Sequence, residues 1–435
     1  MIKNSKLITI GLMLFSLFFG AGNLIFPPLL GQGAGDQFFI AMLGFAVTGI
    51  GLPLLAVIAV GLSENGLQSI GGRIHPVFGL ILSLVVYLSI GPFFGIPRTA
   101  TVSFEMGLAF LPDAIKEAAW ALPVFTIIYF LITFCIALNP SKVIDTVGKI
   151  LTPALLILIV VLFLQSLLHP IGEMGTPTEA YAQFSFFKGF LDGYLTLDAL
   201  SALVFGGMVV ATIRDDGVTD RKQIAVTTLK AGLIAVSCLA FVYFSLAYMG
   251  ATSQQLGMME NGGEILAAVA YMLFGNYGSI LLGVVVLLAC LTTSVGLTTS
   301  CTQYLNQVFP RLSYTKWLLI IIVFSAFVAN VGLTQLIAIS VPILGMIYPA
   351  VIVLIFLSFI HSFFNGYRAV YVGGLTGAFI ISVLETLTDA FGFELSWIQY
   401  LPLFDQGIGW LIPSIIGSLL GYSIGRLTEK KAALT

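Results

Sequence analysis

The sequence predicts an all-α polytopic membrane protein of about twelve transmembrane helices, and three observations carry that expectation. Of its 435 residues, 58% are hydrophobic and only 9% charged, where a soluble domain carries about 25% charged residues. The apolar residues form continuous runs long enough to cross a bilayer, since a helix needs roughly 20 of them. Continuity rather than alternation argues for helices over barrel strands. Basic residues, finally, collect on alternate connections between the runs.

Taken in order, the runs lie at 8–26, 38–62, 76–96, 121–138, 150–168, 196–213, 229–249, 279–302, 317–331, 337–360, 369–387 and 408–423. Lys3 and Lys6 precede the first as they would in a cleaved leader, but no small-x-small site follows, so it is expected to remain a span. With the amino terminus in the cytoplasm, fifteen of the 18 Lys and Arg residues fall on that side, among them Lys3, Arg73, Lys142, Arg214, Arg311, Lys316 and Arg368. Only Arg98, Lys116 and Lys188 fall outside. Acidic residues lean the other way, including Asp36, Glu117, Asp192, Glu260, Glu264 and Glu394. Both termini are therefore expected in the cytoplasm. The longer external connections are 170–195 and 250–278, with room for short surface helices, and 428–435 is a polar tail expected to be loose. Cys135, Cys238, Cys290 and Cys301 sit in apolar runs without CxxC spacing and are expected to be buried free thiols.

Two runs contain poor helix material. Gly20-Ala21-Gly22-Asn23, followed by Pro27-Pro28, interrupts the first. Unwound backbone at membrane depth is tolerated only where protein buries it or it lines a watery cavity. The alternative is that the glycines admit a neighbouring helix. The sixth run carries Leu203-Val204-Phe205-Gly206-Gly207-Met208 and starts on the opposite side of the membrane. Corresponding broken helices in two halves of inverted topology point to a secondary transporter. On that pattern 1–170 is a first repeat, 171–362 its inverted partner and 363–427 two peripheral spans. The eighth run is dense in hydroxyls from Thr292 to Ser300. Such groups often bond back to the preceding turn, yet neutral oxygens beside unwound carbonyls also suit a small hard cation.

GAGNLIFPP in the first run, PRTATVSFE at 97–105, GYLTLDALSALVFG at 193–206 and ACLTTSVGLT at 289–298 resemble the bacterial branched-chain amino acid:cation symporters, the LIVCS family. The resemblance extends over essentially the whole chain. It implies a LeuT-like fold of five-plus-five inverted repeats with spans 1 and 6 broken. It implies import of leucine, isoleucine and valine coupled to sodium, or in the alternative to protons. It further implies that Gly20, Ala21, Gly22 and Asn23, with Ser201, Val204, Phe205 and Gly206, bind substrate. Sodium would be held by the Ala289 carbonyl, Thr292 and Thr293, with carbonyls around Ser16 and Phe19. Phe26 stands where the neurotransmitter-type branch of the superfamily keeps a gating arginine, so the resemblance does not supply the mechanism of the outer gate.

Arg98 and Glu105, seven residues apart, share a helix face if the third span continues past Pro97. They read either as a gate or as a structural ion pair in the external headgroup zone. Asp198 opens the sixth run, where an N-cap or dipole role competes with a coupling role. A channel would show a filter repeat or an oligomeric ring, and an intramembrane enzyme a catalytic cluster within the spans. The sequence has neither pattern. The expectation is thus a non-enzymatic carrier in the bacterial plasma membrane, with no cofactor beyond its coupling ion and no nucleic-acid partner.

Overall fold

The computed structural model describes residues 4–432 apart from 64–65, 109–110, 112, 117, 140–142, 216, 219, 394 and 396. Lys3, Lys142, Glu117 and Glu394, which enter the charge count, lie outside the described residues, as do 433–435. Helices run throughout, and no strand occurs among the described residues.

In chain order these are α1 (Asn4–Phe18), α2 (Ala21–Ala34), α3 (Phe38–Ala46), α4 (Leu52–Leu62), α5 (Gly66–Gly72), α6 (Pro76–Leu88), α7 (Gly95–Gly107), α8 (Asp113–Lys116), α9 (Ala121–Ala137) and α10 (Val143–Leu168). There follow α11 (Glu179–Ala182), α12 (Ser185–Asp192), α13 (Asp198–Asp215), α14 (Arg221–Ala251), α15 (Gly262–Val308), α16 (Tyr314–Ala329), α17 (Leu333–Phe359), α18 (Arg368–Phe391) and α19 (Leu411–Ala432). Among the described residues, six stretches are long and apolar enough to cross a membrane: Ala21–Leu62, Pro76–Gly107, Lys222–Ala251, Gly262–Val308, Leu333–Phe359 and Arg368–Thr388. Four shorter apolar helices accompany them, and the pair Ser185–Thr196 and Asp198–Asp215 qualifies together, bent by 44°.

Polarity is arranged for an apolar solvent. Ile127, Leu131, Val323 and Leu419 are exposed on the outside, while Asn23, Arg98, Thr99, Ser103 and Asp198 are buried. Hydrocarbon offers no hydrogen bonds, so polar side chains turn inward to find them. Glycine seams bring helices close enough to gain packing where no hydrophobic drive exists between them. A Cβ on Gly44 of α3 would strike the Phe186 carbonyl, and one on Gly189 of α12 that of Ala41. Gly373 and Gly417 make the same mutual contact between α18 and α19.

Several expectations need correction. The sixth-run glycines do not break a helix: Gly206 and Gly207 lie inside α13, which is continuous from Asp198 to Asp215. A mid-helix glycine costs only about 1 kcal/mol relative to alanine, and Gly206 serves contact, since its Cβ would stand 3.1 Å from Cβ of Val60. The discontinuity lies upstream at Leu197, with φ 66°. The short helix expected in the 170–195 connection is Ser185–Thr196, but it pairs with Asp198–Asp215 as one bent apolar unit rather than lying as a surface helix; Lys188, Asp192 and two glycines mask its apolar pattern. The 250–278 connection likewise ends at Gly262, where α15 starts, kinked at Gly275 (φ 60°, ψ −151°). The tail is helical as far as Ala432. Cys135 is exposed and Cys238 partly so, whereas Cys290 and Cys301 are buried.

Candidate functional site

The site begins where α1 stops. Gly20 is extended (φ −132°, ψ −167°) and α2 restarts at Ala21, so the first-run break falls at the Gly-Ala-Gly-Asn stretch. Asn23 fastens it. Its Oδ1 accepts from the Gly20 N–H at 2.7 Å, and its Nδ2 donates to both carboxylate oxygens of Asp198 at 2.9 Å. Nδ2 also reaches the Tyr243 hydroxyl, which in turn donates to Asp198. Asn23 and Asp198 are each 1% exposed and Tyr243 0%.

A second break faces the first. Leu197 adopts the left-handed conformation (φ 66°, ψ 9°) between the turn ending at Thr196 and α13. A non-glycine residue held there costs of order 1–3 kcal/mol and persists only where its surroundings impose it. Asp198 is not a simple cap of its own helix: its carboxylate crosses to Asn23 and Tyr243, while its N–H lies 3.4 Å from Thr196 Oγ1.

Between the breaks lies a cavity of about 30 Å³ whose walls include Gly20, Ala21, Gly22, Asn23, Arg98, Thr99, Thr196, Ser201 and Thr293, with Leu17, Ile90 and Leu297 on its apolar side. That space holds about two waters. Two larger cavities follow the line of the bent α12–α13 pair. One of about 460 Å³ borders Lys188, Asp192 and Tyr194 before the break, and reaches Glu385 and Trp410. The other, about 280 Å³, borders Leu203, Val204, Gly207 and Arg214 beyond it. At the first of these, Asp192 pairs with Lys188 and accepts from the Tyr181 hydroxyl at 2.5 Å. Burial and that carboxylate push the Tyr181 phenol well above its ordinary pKa, which keeps it a donor.

Arg98 corrects the surface reading. It is 1% exposed, with Nη1 donating to the Leu195 carbonyl at 2.6 Å and Nη2 to Ser340 Oγ at 3.1 Å. Its guanidinium carbon stands 5.0 Å from the centre of the Phe26 ring. An arginine therefore occupies the neighbourhood of Phe26 after all, delivered by α7. Glu105 is two turns further along, beside Gly263, whose Cβ would lie 3.7 Å from Glu105 Cβ; it does not line the central cavity.

Of the other expected substrate residues, Ser201 lines the central cavity, Val204 lines the 280 Å³ one, and Phe205 is packed at 2% exposure. In the expected ion set, the Thr293 hydroxyl joins α15 to the break, lying 3.2 Å from the Phe19 carbonyl and 3.1 Å from that of Ala289. Thr292 bonds back to Leu288 at 2.9 Å, and Ser16 lies a turn before the break on α1. Tyr243, Ser340 and Thr196 were not anticipated. Nothing in the sequence distinguishes Tyr243 from the other aromatics of its apolar run.

The sequence profile of the family described as Branched-chain amino acid transport protein matches residues 3–428. The chain is 50% identical over 437 residues to the branched-chain amino acid permease BrnQ of Bacillus subtilis (strain 168), covering 99% of each protein. Among solved structures it is similar to the nucleobase-cation-symport-1 family transporter Mhp1 in a closed conformation with bromovinylhydantoin bound, with a TM-score of 0.65 at 14% identity, covering 98% of this chain and 93% of that one. It is also similar to MhsT in complex with L-phenylalanine, with a TM-score of 0.53 at 15% identity and 98% of each chain covered. At such identities the structural likeness shows the fold alone.

Proposed function

The chain belongs to the branched-chain amino acid transport protein family, and from that membership we propose that it is a secondary symporter importing leucine, isoleucine and valine down a sodium gradient by alternating access. The observation that carries the reading is the pair of facing helix breaks at Gly20 and Leu197, joined by Asn23 and Asp198. Free peptide groups at such breaks are what a zwitterion and a small cation need. The central cavity is too small for an amino acid, and larger cavities lie on either side of it along α12–α13. A narrow site between two vestibules is the arrangement that exposure to one side at a time requires.

On this reading the twelve apolar runs are twelve spans, the first and sixth discontinuous, with 1–170 and 171–362 as inverted repeats and both termini in the cytoplasm. The N–H groups of Ala21 and Gly22 open α2 and face the substrate carboxylate beside Ser201, with Val204, Phe205 and Gly206 below. Sodium takes the Thr293 and Thr292 hydroxyls with the carbonyls of Ala289 and Phe19 and an oxygen from the Ser16 turn. One observation favours a second reading: Asp198 is a buried carboxylate bonded to Asn23 and Tyr243, and in a proton-coupled carrier it would take the proton.

Uptake of labelled leucine into proteoliposomes decides between them. A sodium gradient alone is expected to drive accumulation. Accumulation under a pH gradient without sodium would replace the sodium site by Asp198. Absence of leucine uptake under both gradients would remove the branched-chain assignment. Sodium and leucine are expected to raise each other's affinity by one factor, since coupling free energy is reciprocal.

A further inference from the structure

The central cavity has a guanidinium in its wall, and among the described residues no carboxylate forms an ion pair with it; Asp198, the buried carboxylate at this site, bonds Asn23 and Tyr243 instead. Arg98 is 1% exposed, lines the cavity, and among the described residues its guanidinium forms hydrogen bonds only with a carbonyl and a hydroxyl. A guanidinium offers five N–H donors, and its Nε is buried without any partner. Burying such a charge unpaired is costly, and an ionisable group kept at membrane depth marks a functional site. Its position is equally specific. A Cβ on Gly22 would sit 3.3 Å from Arg98 Nη1, and Phe26, one turn on, lies under the guanidinium. The cation is thus laid along the first turn of α2, whose own N–H groups and dipole favour an anion.

We infer that Arg98 is the residue that receives the substrate carboxylate. The Leu195 carbonyl and Ser340 hydroxyl hold the guanidinium plane, and the donors left over, the unpartnered Nε among them, are those a carboxylate accepts in bidentate fashion. A side chain at position 22 would stand 3.0 Å from the Thr196 carbonyl and 3.3 Å from Arg98 Nη1, closing the gap between α2 and the guanidinium. The Leu195 bond ties the carboxylate pocket to the second helix break, and the Ser340 bond ties it to α17. This assignment deepens the proposed function and rests on it: the carboxylate is that of the transported amino acid.

The test pairs loss of the arginine with loss of the carboxylate. Purified protein in nanodiscs is assayed for direct binding of labelled leucine and for competition by leucinamide, which keeps the ammonium and side chain but carries a neutral amide. In wild type, leucine is expected to bind about 10- to 100-fold more tightly than leucinamide, the range for hydrogen bonds to a charged group. In Arg98→Gln, leucine affinity should fall by a similar factor while that of leucinamide stays unchanged, so that the two losses do not add. A variant that weakens both ligands equally, or neither, overturns the assignment and leaves the transport reading intact. A wild type that binds no leucine overturns both. Should Arg98→Gln fail to fold, Arg98→Lys keeps the charge without the fork. It is expected to lose about tenfold in leucine affinity with leucinamide unaffected, and wild-type leucine binding would overturn the bidentate contact.

Discussion

Asp198 shows what one side chain does here. Its carboxylate takes Asn23 Nδ2 on both oxygens and the Tyr243 hydroxyl on one, and Asn23 passes the restraint on to the Gly20 N–H. Both helix breaks are therefore fixed through one carboxylate. Tyr243→Phe removes a buried hydrogen bond to the Asp198 carboxyl and should lower stability by about 1–3 kcal/mol. Adding Asp198→Asn should cost less than the sum of the single changes, because the residues share a network; strictly additive shifts in thermal unfolding would show that they do not. If the proposed sodium site is right, Thr293→Val and Thr292→Ala should each raise the sodium concentration for half-maximal leucine uptake by about one to two decades, on the order of the loss of one bond to a charge. Thr299→Ala, further along α15, should change it far less; equal effects at all three would place the ion elsewhere. Asn23 and Thr293 were legible in the sequence because glycine and hydroxyl clusters are rare inside apolar runs. The depth of Arg98 was not. Arg98, Thr99, Thr101 and Ser103 of α7 are all buried, and hydropathy cannot tell a polar helix sunk among other helices from one in the headgroup zone.

At the scale of elements, each apolar run falls on a helix or a helix pair, because continuous greasy stretches of that length have one solution in a bilayer. Where helices break is less legible. Glycine marks the first break correctly, since Gly20 leads into the new N-terminus of α2, but it misleads in the sixth run. There the left-handed residue is a leucine, imposed by packing rather than by local preference. Paired substitutions separate the two uses of glycine in α13. Gly207 has nothing within 4 Å of an added Cβ, whereas at Gly206 Val60 stands 3.1 Å away. Gly207→Ala should be neutral or stabilise by up to about 1 kcal/mol through helix propensity, and Gly206→Ala should destabilise by forcing α4 and α13 apart. Thermal unfolding of both variants checks this; a destabilised Gly207→Ala would mean that α13 must unwind at that glycine.

At the scale of the whole molecule the open question with most consequence is which way it faces. Charge supplies the expectation: Arg311 and Lys316 flank the end of α15, while Glu260 and Glu264 flank its start. Basic connections are retained in the cytoplasm, so the α15 start belongs outside. Cysteine labelling tests this directly, provided the sites tolerate the change. Met258, 58% exposed, and Ser313, also exposed, lie at opposite ends of the 47-residue α15. The native thiols must first be replaced, since Cys135 is exposed. Met258→Cys should then react with an impermeant maleimide on intact cells, and Ser313→Cys only in inverted vesicles. Labelling of both from one side would mean that α15 does not cross, which removes the inverted repeat and alternating access with it. The opposite pattern would keep the fold but reverse the carrier. The 280 Å³ cavity beside Arg214 would then open outward and the 460 Å³ cavity beside Asp192 into the cell.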